Sequence, residues 1–315
     1  MSRNIRIEYP GAFYHVMNHG DGRQVIFEND EDRLGFLETL AEVCQKTRWQ
    51  IHAYCLMDKY FHLVIETPKA NLVMGMKSLL GIHTNRHNRR HKTFGHLFSG
   101  RYQAQVVEGS GGGYLKTVCD YVHLNPARAG LLAPRKPLSD FCWSSYPRYL
   151  AAPGKRPDWL RTDRLLGECS ISKDSVAGRR AFGERMEQRR RENLAKEFKA
   201  VEQGWYLGSE PFRQKLLAKV STAAGPSHSG EAVREAAEAQ AERLVVAGLK
   251  RLGWDEAGLK KRRKGDRGKV ALAKELRAST KMTLDWIAKR LRMGSPGYLA
   301  WLLKKRKPSP RTKAK

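Results

Sequence analysis

Trp49-Gln-Ile-His-Ala-Tyr-Cys-Leu-Met57, then Asp58-Lys-Tyr60, then Phe61-His-Leu-Val-Ile-Glu66 is the stretch whose reading decides the fold. The two outer runs are rich in aromatic and β-branched residues, and the middle is a tight turn, so the spacing predicts a hairpin that Pro68 closes. Upstream, a helix is predicted from Asp30 to about Arg48, because Leu34, Leu37, Leu40 and Val43 recur at helical spacing. Before it, Ala12-Phe-Tyr-His-Val-Met-Asn18 reads as a strand that ends at the turn signal His19-Gly-Asp-Gly-Arg23. Downstream, a second helix runs from about Asn71 through Met76, Leu79 and Leu80 into the basic stretch His83 to Lys92. Leu97 to Val107 is a further extended segment, and Gly109, Gly111, Gly112 and Gly113 form a joint before a third helix.

The order strand, helix, strand, strand, helix, strand, helix predicts an α+β chain. Its core is a ferredoxin-like β-α-β-β-α-β antiparallel sheet with helices on one face. The third helix, Leu115-Lys-Thr-Val-Cys-Asp-Tyr-Val-His-Leu-Asn-Pro126, places Tyr121 and Asn125 four residues apart and so one turn from each other. Leu115, Val118, Val122 and Leu124 supply its packing positions, and Pro126 is read as the helix stop with Asn125 at its end. A phenol beside an amide suits a nucleophile next to a ligand of metal or phosphate; the plain alternative is a core tyrosine before an Asn-Pro stop. In the hairpin, alternation puts Tyr60 and His62 on one face and Phe61 on the other, so His62 can meet Tyr121 and Asn125 around one point.

The 315 residues carry 59 Lys+Arg against 32 Asp+Glu, a formal net charge of +27, which points to a polyanion and by default to nucleic acid. The five cysteines are scattered and lack CxxC spacing, arguing against a disulfide framework or a cysteine-rich zinc site. No apolar run is long enough to cross a bilayer, and Met1-Ser-Arg-Asn-Ile-Arg leads into no apolar region. The expectation is a cytoplasmic, nucleoid-associated bacterial protein that binds no membrane. His83, His87 and His91, at i, i+4 and i+8, could mimic a metal stripe. With Arg86, Arg89 and Arg90 around them, a DNA-facing helix is the preferred reading, and Phe94 and Tyr102 are candidates for stacking on bases.

The domains expected are a first domain over 1–150, a charged helical linker region over 151–255, a helix-turn-helix DNA-binding domain over 256–307 and a basic tail over 308–315. Within the linker region, the charged run near 175–198 reads as an exposed helix. In the C-terminal part, Thr283 caps one short helix, and Ser295 with Pro296 opens another that ends in Lys304, Lys305 and Arg306. Short helix, glycine turn and basic helix form a helix-turn-helix pattern.

Met57 to Pro68, Ser99-Gly-Arg-Tyr102 and Asp120-Tyr-Val-His-Leu-Asn-Pro-Ala-Arg-Ala-Gly-Leu131 resemble the REP-associated tyrosine transposases, members of the HUH single-tyrosine superfamily, over roughly Tyr9 to Leu150. The resemblance implies metal-assisted cleavage and rejoining of single-stranded, hairpin-forming DNA through a 5′-phosphotyrosine in DNA transposition. It assigns Tyr121 as nucleophile and His62 and Asn125 as ligands of Mg²⁺ or Mn²⁺; with the basic stretches read above, the DNA contacts expected are Arg86, Arg89, Arg90, Arg101, Tyr102, Arg128, Lys304, Lys305 and Arg306. It implies no stable protein partner and leaves a homodimer open.

The chain departs from that pattern at one position: Tyr60 stands where the family has its first metal histidine. A neutral phenol is a poor ligand for a divalent ion, and the adjacent Lys59 opposes a cation. His15, His52 or His123 could cover the loss, though the sequence does not place them. Two functions follow: a tyrosine nuclease and strand transferase, or a weakened or inactive derivative that acts as a hairpin- or sequence-specific DNA-binding regulator.

Overall fold

The structure is a computed structural model and describes residues 3–4, 6–223, 228–229, 231–280 and 282–304. The chain divides into two units, Arg6–Arg213 and Met1–Ile5 together with Gln214–Lys315. A short strand, β1 (Arg3–Asn4), belongs to the second.

The larger unit follows the expected order: β2 (Ala12–His19), α1 (Asp30–Thr47), β3 (Gln50–Met57), β4 (Tyr60–Thr67), α2 (Leu72–His91), β5 (Gln103–Val107) and α3 (Tyr114–Arg128). The strands lie in the order β3-β4-β2-β5, every neighbour antiparallel, which is the ferredoxin-like arrangement. A fifth strand, β6 (Tyr206–Leu207), pairs with β5 in parallel, so the sheet is mixed and not wholly antiparallel. The hairpin register sets Met57 opposite Tyr60 and Cys55 opposite His62, while β2 sets His19 opposite Tyr60 and Met17 opposite His62.

Alternation along β4 assigns the two faces. Phe61 points to Phe36 of α1 with ring centroids 5.0 Å apart, and His62 points to Tyr121 of α3 at 5.6 Å. Helices therefore cover both faces and not the single one expected, with the tyrosine helix on the side opposite α1. Helix α1 is capped by Asn29, one residue before Asp30, which is its first helical residue and not its cap. Asn29 Oδ1 accepts the Asp32 N–H at 3.1 Å, and Asp32 accepts the Asn29 N–H at 3.3 Å, a complete capping box.

Helix α3 does not stop at Pro126, which lies inside it. A proline in the last turn forfeits a single intrahelical bond, and the helix instead closes on Gly130 at φ 75°, with Leu131 N–H reaching Pro126 O at 3.0 Å. Asn125 thus holds a helical position. Leu115, Val118, Val122 and Leu124 are buried as expected.

Beyond α3 the chain returns to the free edge of β3, where Leu56 N–H bonds Trp143 O at 2.9 Å and Ile51 N–H bonds Trp159 O at 3.0 Å, covering that edge. Four helices follow: α4 (Tyr146–Leu150), α5 (Asp163–Glu168), α6 (Val176–Arg191) and α7 (Ala195–Glu202). Helix α6 corrects the reading of the charged run as exposed. Phe182 and Met186 are fully buried, and Arg185 and Arg189 both pair with the buried carboxylate of Asp120 on α3.

The remaining helices are α8 (Glu210–Ala223), α9 (Glu231–Arg251), α10 (Glu256–Lys261), α11 (Arg267–Ser279), α12 (Leu284–Arg290) and α13 (Pro296–Lys304), with β7 (His228–Ser229) pairing in parallel with β1. Val245 and Leu249 of α9 share one core with Leu272, Leu276, Ile287, Leu291 and Leu299. Thr283 accepts the Trp286 N–H at 3.1 Å and Ser295 the Tyr298 N–H at 3.2 Å, so both short helices carry the caps their sequences signal. No helix among the described residues is long and apolar enough to cross a membrane.

Candidate functional site

Three elements converge on Tyr121. Helix α3 packs on β3 and β4, and its spacing turns Tyr121 and Asn125 toward the sheet. Strand β4 contributes Tyr60 and His62, and β2 contributes His15, Met17 and His19 on the same face. The Tyr121 ring meets His15 at 5.7 Å and His62 at 5.6 Å, both edge-on. A cleft of about 500 Å³ opens beside it, lined by Met17, His19, Arg23, Lys59, Tyr60, His62, Tyr121 and Asn125.

Inside the cleft the polar side chains form one directed chain. Tyr60 O–H donates to Asn125 Oδ1 at 3.0 Å, Asn125 Nδ2 lies 3.4 Å from His62 Nε2, and His62 Nδ1 lies 2.9 Å from His15 Nε2. With the amide donating, His62 Nε2 is an acceptor and His62 Nδ1–H donates to His15. Burial favours the uncharged forms throughout. It lowers His15 to about 4 and, with the positive potential of His15 and Arg128, holds His62 well below the usual imidazole range. Burial likewise pushes Tyr60 up to about 12, so its hydroxyl stays a neutral donor.

Those values bear on the Mg²⁺ or Mn²⁺ that the resemblance implies. Hard divalent ions favour oxygen ligands, usually carboxylates. Among the described residues no carboxylate lines the cleft, one lone pair of the Asn125 oxygen is engaged by Tyr60, and Arg23 and Lys59 oppose a cation. The residues present do not fit such an ion in this arrangement. Of the three histidines the sequence offers in place of the missing ligand, only His15 reaches the site, and it does so behind His62; His19, opposite Tyr60 on β2, also lines the cleft. His52 bonds Glu66 at 3.1 Å and His123 bonds Ser145 at 2.8 Å. Among the described residues, a group able to hold a metal ion lies elsewhere, at Glu28, His87 and His91.

Tyr121 itself is covered from α7. Phe198 packs on its ring at 5.4 Å, and the Arg128 guanidinium lies 4.7 Å from the ring centroid, anchored to Glu202 at 2.6 Å. Burial raises the Tyr121 phenol above its ordinary value, and Arg128 pulls it the other way.

The other predicted contacts are distributed around the molecule. Arg86 bonds Thr39 and Glu42, each at 2.7 Å, and Arg90 bonds Glu31 at 2.6 Å, so both lie against α1 and not beside Tyr121. Arg89 and Arg101 are exposed, as is Lys304. Phe94 is 98% exposed, as a stacking residue requires, whereas Tyr102 is buried beneath Arg6, whose guanidinium stands 4.3 Å over its ring. Lys305, Arg306 and the expected tail lie outside the described residues.

Sequence reasoning missed Arg23, Lys59 as a cleft residue, Phe198 and Glu202. Arg23 was legible only as part of a turn, and α7 is separated from Tyr121 by the whole Pro-rich return, so no local spacing could have found it.

The family model of IS200-like transposases matches residues 9–125, from the approach to β2 through Asn125. Among solved structures, the chain is similar to a REP-associated tyrosine transposase bound to a REP hairpin, with 16% identity and TM-score 0.40 over 50% of this chain and 91% of that one. It is also similar to a proposed transposase from Deinococcus radiodurans r1, with 19% identity and TM-score 0.28 over 39% of this chain and 95% of that one. No curated protein matches it.

Proposed function

We propose, for a chain whose residues 9–125 match the family model of IS200-like transposases, that it is a transposase-type DNA-binding protein whose tyrosine site holds a single-stranded backbone without cutting it. The observation that carries this reading is the 3.0 Å hydrogen bond from Tyr60 to Asn125 Oδ1. It engages one lone pair of the amide oxygen that a metal would need, and the phenol making it is neutral at physiological pH. Arg23 and Lys59, both lining the cleft, supply the charge that a phosphate backbone requires. Outside the cleft, Arg89, Arg101, Phe94 and Lys304 offer further phosphate and base contacts. Helices α12 and α13 are the helix-turn-helix of this reading, with Lys304 at the end of the recognition helix.

A second reading, a cleaving enzyme, is favoured by the convergence of Tyr121, His62 and Asn125 on one cleft. In it the phenol loses its proton to solvent and Tyr121 Oη bonds to phosphorus as the P–O3′ bond breaks. The 3′ oxygen leaves with the bonding pair and takes a proton from water, giving a 5′-phosphotyrosine and a free 3′-hydroxyl.

Titration of a labelled single-stranded hairpin oligonucleotide at several salt concentrations tests the binding claim. The slope of log K against log salt is expected to shrink by about 0.7 in Arg23→Ala and again in Lys59→Ala, one single-strand phosphate contact each. Unchanged slopes in both variants contradict the placement of DNA in this cleft.

A further inference from the structure

On the face of the sheet opposite Tyr121, the last turns of α2 meet the N-terminal end of α1 in a second polar cluster. One ligating atom each from Glu28, His87 and His91 lie within 4.8 Å of one another. The i, i+4 spacing places the two imidazoles on one helix face, with ring centroids 4.3 Å apart.

Two independent observations point to a ligand there. His87 is only 5% exposed, and neither of its ring nitrogens has a hydrogen-bond partner. A neutral imidazole carries one donor and one acceptor, and leaving both unmet in the interior is costly. The second observation is the orientation of His91. Its Nε2 lies 2.8 Å from Asp32 Oδ1, and its Nδ1 lies 3.5 Å from Glu28 Oε2. The Asp32 side chain is 1% exposed and is fixed by the main-chain N–H groups of Glu28 and Asn29 at 2.9 and 3.3 Å. Asp32 therefore holds the Nε2 edge of His91 and turns its Nδ1 edge toward Glu28 and His87. A carboxylate behind a histidine that presents its other nitrogen is the arrangement that orients metal-binding imidazoles.

We propose that Glu28, His87 and His91 bind a Zn²⁺-class divalent ion, with Asp32 positioning His91 and a water completing the coordination. Two imidazoles and one carboxylate are a zinc-type donor set, whereas Mg²⁺ prefers oxygen alone. The ion ties the segment before α1 to the end of α2. His83, one turn earlier, also has both ring nitrogens unpartnered, but it sits among Phe27, Phe36 and Phe98 and is not part of the set.

The test is equilibrium dialysis of the full chain against Zn²⁺ alone, followed by metal analysis and a thermal-unfolding scan. It is run in a His62→Ala/Asn125→Ala background so that the tyrosine cleft contributes nothing. The expected result is one zinc per chain, retained through gel filtration, with a raised unfolding temperature. Glu28→Gln, at an exposed position that leaves the fold intact, weakens binding at least tenfold, as does His91→Ala, and both abolish the thermal shift. His83→Ala retains the ion. No bound zinc in that background, or zinc indifferent to both Glu28→Gln and His91→Ala, overturns the proposal.

Discussion

Asn125 is held by one donor and one acceptor on strand β4, the phenol of Tyr60 and the imidazole of His62. Its neighbour Asp120 shows how far the surrounding helix depends on a single carboxylate. Asp120 is fully buried and accepts from Arg185 at 2.9 Å and Arg189 at 3.2 Å. Arg189 also bonds Glu192 and Glu197, whereas Arg185 pairs with no second carboxylate among the described residues. Asp120→Ala strands that guanidinium half-buried, and removing one partner of such a pair costs about 3–5 kcal/mol. Urea unfolding of the variant is expected to show a loss of about 3 kcal/mol; a loss below about 1 kcal/mol contradicts the pairing. At this scale the sequence revealed what spacing can reveal. Tyr121 and Asn125 share a helix face, and His62 alternates onto the same side as Tyr60. Placing His15, Arg23 and Phe198 required the strand register and the path of the returning chain, which no local pattern encodes.

Among the elements, α2 carries the sharpest packing constraint. A Cβ at Gly75 would come within 2.1 Å of the Trp49 indole, itself pinned by a hydrogen bond from Nε1 to Asn71 at 2.9 Å. Alanine is favoured over glycine in a helix interior by about 1 kcal/mol, while overpacking costs about 1–3 kcal/mol, so the clash is the larger effect. Gly75→Ala is expected to destabilise the protein, and the same substitution in a Trp49→Ala background is expected to be neutral or stabilising. Destabilisation of equal size in both backgrounds would show that the indole contact is not the cause. The elements themselves were largely legible, since hydrophobic periodicity and turn chemistry agree through Asn125. Two features were not. Pro126 reads as a stop because its cost is assessed locally, whereas at the end of α3 that cost is one missing bond. The charges of α6 read as solvated because composition does not reveal that their partner is buried Asp120.

For the whole molecule, an excess of Lys and Arg giving +27 argues for a polyanionic partner, and the interior adds a separate dependence on pH. Burial lowers His123 to about 3 and also lowers His52, against an ordinary value of 6.5 for each. The unfolded chain therefore binds more protons than the folded one between those values. Stability from these groups is complete above about pH 6.5 and is lost as pH falls below it. The thermal midpoint is expected to be flat above pH 7 and to drop steeply toward pH 5, with proton uptake on unfolding detectable by calorimetry in buffers of different ionisation enthalpy. A midpoint constant from pH 7 to 5 contradicts the burial of neutral histidines.

On the proposed reading, Tyr60 is the group that arrests the tyrosine site. The decisive measurement is covalent capture of a labelled single-stranded hairpin oligonucleotide with Mn²⁺ on a denaturing gel, comparing wild type, Tyr60→His and Tyr60→His/Tyr121→Phe. The predicted result is no adduct in wild type, an adduct in Tyr60→His, and its loss when Tyr121 is also replaced. An adduct formed by the wild-type chain, and lost in Tyr121→Phe, would contradict the account and establish the cleaving enzyme instead.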